Sequence, residues 1–100
     1  MLSFLALAFA ATPITTAAPT SAWAECMSKH ALPLLKDEAT NVIVRKGFAA
    51  CMNQENAVKA AYVHDYGPQT GISVFNGIKF NVQEIMFRRV AQGKKQRGFQ

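Results

Sequence analysis

One hundred residues with eleven basic and six acidic side chains give a formal net charge of +5 at pH 7, and half of the residues are hydrophobic. A chain of this length holds one small domain, which excludes a multidomain reading and leaves a core that is marginal without a cross-link, an added element or a partner. The charge is uneven: residues 25–78 hold five basic and five acidic side chains while residues 79–100 hold six and one, so a neutral body ends in a cationic segment.

Residues 1–24 contain no charged side chain. An apolar run at 2–11, a Thr/Pro/Ala-rich stretch and then Ala22-Trp23-Ala24, a small-x-small pattern ahead of Glu25, predict a signal peptide over 1–24. The competing reading is a buried N-terminal helix at 2–11; the run is too short to span a bilayer. Only the α-amino group stands where a signal peptide ordinarily carries Lys or Arg, which leaves room for a start codon further upstream. Glu25 argues against lipid attachment at Cys26, because the residue before such a cysteine is normally small. The expected compartment is periplasmic or extracellular, and two cysteines in a small exported chain predict one disulfide, Cys26 to Cys51. Closing a loop of about 26 residues is worth ~3–4 kcal/mol on a chain-entropy argument.

The body, residues 25–92, is expected to be mainly α-helical. Cys26, Met27, His30, Ala31, Leu34 and Leu35 recur at helical spacing and predict a first helix near 25–35, bent at Leu32 because Pro33 lacks the N–H an α-helix needs. Lys36-Asp37-Glu38-Ala39-Thr40 is the expected reversal, with Asp37 as N-cap of a second helix from Glu38 to about Tyr66. Its apolar positions are Ala39, Ile43, Gly47, Ala50, Cys51, Val58 and Tyr62, and Gly47, Ala49 and Ala50 would admit a second backbone closely. The polar patch Asn53-Gln54-Glu55-Asn56 marks a possible break. Tyr66-Gly67-Pro68 ends the helix.

Two short β-prone runs, Ile72 to Phe75 and Ile78 to Phe80, flank Asn76-Gly77, the favoured pair of a type I′ turn, and predict a β-hairpin at 72–80. Asn81-Val82-Gln83-Glu84 resembles a capping box opening a last helix to about Ala91, with Ile85, Met86 and Val90 apolar. Residues 93–100 read as a basic flexible tail. The expected fold is therefore a disulfide-stapled antiparallel helical hairpin with a short β-hairpin and a C-terminal helix.

No residue pattern here carries a recognised catalytic or cofactor signature, and no cofactor is expected. Cys26, His30, Cys51 and Glu55 superficially form a four-ligand zinc set, but in a stapled hairpin His30 and Glu55 lie on opposite sides of the cysteines, ~12 Å apart, so no metal is assigned. His64 and Asp65 are adjacent and point about 100° apart, with no nucleophile beside them. Ser73 lacks the glycine frame of a nucleophile elbow, and Asp37 and Glu38, the only close carboxylates, belong to the turn. One constellation remains: Arg88, Arg89, Lys94, Lys95 and Arg97, interleaved with Phe87 and Phe99. Such a segment suits an anionic membrane or envelope surface, with phenylalanines inserting between headgroups. Sequence-specific nucleic-acid binding is not expected of an exported protein.

Cys26, Ala31, Leu35, Ala39 and Gly47-Phe48-Ala49-Ala50-Cys51 resemble small exported bacterial proteins that carry two cysteines about 25 residues apart on a helical pair. The resemblance covers about a third of the chain; it implies a disulfide and export, and no activity. The functional expectation is a noncatalytic module that binds a protein partner or an anionic envelope surface through its basic C-terminal segment. The alternatives are a small enzyme or inhibitor, for which His30, His64 and Asp65 are the candidates, and a purely structural or stress-related envelope protein.

Overall fold

The computed structural model describes residues 14–99, and the apolar run expected to lead the signal peptide lies outside them. Four α-helices follow one another: α1 (Ile14–Ala31), α2 (Thr40–Ala50), α3 (Met52–Tyr66) and α4 (Pro68–Gln96), with a 3-10 turn at Leu32–Leu34 between the first two. Among the described residues there is no strand, and none of these helices is long and apolar enough to cross a membrane.

Helices α1 and α2 reverse near the expected place, but α1 begins at Ile14, inside the expected signal peptide, and not near Glu25; at Pro33 it gives way to the tighter turn from Leu32, and the reversal follows over residues 35–39. Helix α2 starts at Thr40 with Ala39 as its N-cap, and no side chain caps it, so Asp37 does not play that part. The second arm bends at Cys51 rather than in the polar patch. There φ and ψ leave helical values, yet the Cys51 N–H still donates to the Gly47 carbonyl and Glu55 N–H to the Cys51 carbonyl, both at 3.0 Å. Helices α2 and α3 thus form one bent rod. Gly67, with φ of 87°, ends it, and Pro68 opens α4 at a position where the missing N–H costs nothing.

Helix α4 replaces the predicted β-hairpin, the capping box and the first part of the predicted tail. Gly71, Phe75, Met86, Val90 and Lys94 are its buried positions, and their spacing follows the helical period of 3.6. Burial of that stripe outweighs the β-propensity of Ile72, Val74 and Ile78 and the turn signal of Asn76-Gly77, which are local preferences of about 1 kcal/mol or less. Asn81 is consequently an interior helix residue, and the helix continues to Gln96.

Both α1 and α4 lie on the α2–α3 rod and approach each other's backbone very little. They meet through side chains. Trp23 of α1, 1% exposed, stacks on Phe75 of α4 with ring centroids 6.0 Å apart and meets Phe48 of α2 edge-on at 5.9 Å. Met27, Ala31 and Leu35 continue the same stripe at four-residue intervals and close on Ile43, Val44 and Val58. Gly47 faces the Met27 side chain, not a second backbone, and Ala49 and Ala50 are exposed. Full burial of side chains of this size is worth about 1.5–3 kcal/mol each. The predicted cleavage point after Ala24 falls inside α1, one residue beyond the centre of this core.

Candidate functional site

The disulfide Cys26–Cys51 is formed, with a Cα–Cα distance of 5.9 Å, and ties α1 to the bend between α2 and α3. His30, one turn beyond Cys26, stands beside it, and the His30 ring nitrogen and the two sulfurs all lie within 4.8 Å of one another. With the sulfurs bonded to each other, neither offers the thiolate a metal would need. Glu55 is absent from this group: its carboxylate accepts from Lys79 Nζ at 2.8 Å, an ion pair joining α3 to α4. The same Lys79 ammonium lies 5.7 Å from the centre of the Phe48 ring.

His64 Nδ1 and an Asp65 carboxylate oxygen lie 3.3 Å apart on the exposed end of α3. Cys51, beside His30, and His64 are separated by ~20 Å of helix, given 1.5 Å of rise per residue. His30 lines a cleft with Ala22, Glu25, Cys26, Lys29, Leu32 and Gln54, and neither His64 nor Asp65 borders it. The candidates for an enzyme site are not brought together.

The five basic residues of the C-terminal segment are sorted by helical phase. Lys94 turns inward: it is 5% exposed, and its ammonium donates to the Leu35 carbonyl at 2.8 Å, which fastens the end of α4 to the turn after α1. Phe99 follows it and packs against the core instead of projecting outward. Arg88 and Lys95, seven residues apart, share an outer face. Arg89 and Arg97 overhang the space between α1 and α4.

That space is a groove, formed because α1 and α4 rest on a common rod without closing on each other. Its larger part, about 260 Å³, has Ala31, Leu35, Met86 and Val90 as floor and Ser28, Arg89, Gln96 and Arg97 at its rim. A second part of about 170 Å³ adjoins it, shares Ser28, Met86 and Arg89, and extends past Ile85 to Val82 and Ala24. Among the described residues no carboxylate lines either part. Neither Arg89 nor Arg97 makes an ion pair or side-chain hydrogen bond among the described residues. The sequence alone does not show the groove, because its α1 wall lies partly inside the expected leader and its α4 wall falls in the segment expected to be a separate short helix. The signal that could have found it is the helical repeat of Val82, Met86 and Val90 facing Met27, Ala31 and Leu35.

Phe87 lines a different cleft, between α2 and α4, with Val44, Arg45, Phe48 and Lys79. No family model, curated protein or solved structure matches the chain.

Proposed function

We propose that this is an exported, noncatalytic protein that binds an anionic envelope surface through the C-terminal turns of α4. The observation that carries the reading is the composition of those turns: Arg88, Arg89, Lys95 and Arg97 are exposed, and no ion-pair partner holds any of them among the described residues. Three of these guanidinium and ammonium groups on the last turns of α4, with Arg97 at its C-cap, create a local positive field that a free tail would spread over a larger volume. Export is supported by the formed disulfide, which suits a non-reducing compartment, and by the uncharged first 24 residues. The resemblance to small exported two-cysteine bacterial proteins points the same way. The separation of His30 from His64 and Asp65 favours binding over catalysis.

Co-sedimentation with vesicles tests the reading. Binding to vesicles containing anionic phospholipid is expected, with little to purely zwitterionic ones, and it should fall steeply as salt rises from about 0.05 to about 0.5 M, where the Debye length shrinks to a few ångströms. A variant with Arg88, Arg89, Lys95 and Arg97 all changed to Gln should lose it. Lys94 is left intact in that variant because it belongs to the core. Equal binding to both vesicle types, or binding unaffected by the four changes, would overturn the proposal.

A further inference from the structure

We infer that the α1–α4 groove is a binding site for one aliphatic chain carrying an anionic head, carboxylate or phosphate; this rests on the anionic-surface reading and adds what the surface inserts. The groove has the two halves of such a ligand built into it. Arg89 and Arg97 stand at its rim, with no acidic side chain lining it among the described residues and with Gln96 and Ser28 beside them as further hydrogen-bond donors. Guanidinium groups hold carboxylate and phosphate in paired hydrogen bonds, and the absence of lining carboxylates disfavours a cationic head. From Arg89 the second part of the groove runs along α4 over Met86 and Ile85 to Val82, ~10 Å at 1.5 Å per residue, which suits a medium-length chain.

Two exposed apolar side chains border the groove and would be covered by such a chain. Ile85 is 42% exposed on the narrower part and Leu32 is 52% exposed on the wider one. They come from different helical segments, yet both border the same groove, and a chain lying in it covers apolar surface at each end. The floor between them, Ala31, Leu35, Met86 and Val90, is already buried and packed, so the ligand would enter a largely preformed slot. In the α2–α4 cleft Lys79 is committed to Glu55, which leaves Arg45 as its one cation without an ion-pair partner among the described residues, where the α1–α4 groove has two.

Sodium decanoate and decyl phosphate below their micellar concentrations, decyltrimethylammonium and inorganic phosphate are the probes, with the full chain observed by NMR and calorimetry. Saturable shifts of the Leu32 and Ile85 methyl groups are expected with the two anionic decyl probes. Decyltrimethylammonium and inorganic phosphate should each bind at least tenfold more weakly. Changing Arg89 and Arg97 to Gln should weaken decanoate at least tenfold while leaving the melting temperature within a few degrees. Equal binding of the cationic probe, shifts centred on Phe87 instead, or contacts in the ligand-free protein between residues 1–13 and the Leu32 and Ile85 methyls would overturn the inference. Vesicle binding without decanoate binding sinks the groove and leaves the surface reading standing. Decanoate binding without vesicle binding upholds the groove with a free amphiphile as its ligand and sinks the surface reading; binding of neither sinks both.

Discussion

Gly71 and Gly77 belong to the same helix and are held there for opposite reasons. At Gly71, the start of α4 passes so near the end of α3 that an added Cβ would stand 2.5 Å from the Val63 Cα and 2.6 Å from the Tyr62 carbonyl oxygen. Both are backbone atoms, so relief requires the two helices to separate at the Gly67 corner. Gly71→Ala should cost about 1–3 kcal/mol, as overpacking of a closed contact does. Gly77 faces open space and its φ is negative, so an Ala there meets nothing and restricts the unfolded chain. Gly77→Ala should stabilise by about 0.5–1 kcal/mol. Urea denaturation of the two variants checks both signs; a β-turn at Asn76-Gly77 would instead make Gly77→Ala destabilising, so the pair also tests the helix.

At the scale of elements, the disulfide joins α1 to the one place where the α2–α3 rod bends, and it therefore fixes the angle on which α4 lies. A protein with Cys26 and Cys51 both changed to Ser should lose ~3–4 kcal/mol, a chain-entropy figure for a separation of 25 residues. The loss should be seen as a lower urea midpoint, with the helical circular dichroism of the folded baseline kept. An unchanged midpoint would mean that packing of Trp23 and Met27 alone holds α1 to the bend. The stapled hairpin was legible because Cys26, Met27, Ala31 and Leu35 repeat at helical spacing, Pro33 stops them, and Gly67-Pro68 punctuates the far end. Helix α4 was not, because Ile72 to Phe80 satisfies two patterns at once. Local preference favours a turn at Asn76-Gly77, and only the partners of Phe75, supplied by Trp23 some fifty residues earlier, decide for the helix. The groove was hidden by the same ambiguity, since it exists only if residues 82–97 and 24–35 lie side by side on the rod between them.

For the molecule as a whole, export and fold make conflicting demands on Trp23. Cleavage after Ala24 would remove the residue that stacks on Phe75 and meets Phe48, and loss of a buried Trp side chain typically costs about 3–5 kcal/mol. A single small domain has about 5–15 kcal/mol in total, so the remaining chain would have to find another core. It would also lose Ala24 from the wall of the groove. The sequence contains a second small-x-small pattern, Ala8-Phe9-Ala10, ahead of Ile14, and processing there would leave α1 whole, but residues 1–10 are too short for a leader, so this route requires the start codon further upstream. If the protein is exported with the fold described, its processed form should retain Trp23, with α1 contributing to the same core as in the full chain. Intact mass of the protein recovered from its native compartment, measured before and after reduction and alkylation, decides this. A mass that includes residues 14–24, with two thiols blocked only after reduction, is the expected result. A chain beginning at Glu25 would mean that Phe48 and Phe75 have to pack without Trp23, and the α1 wall of the groove would then begin at Met27.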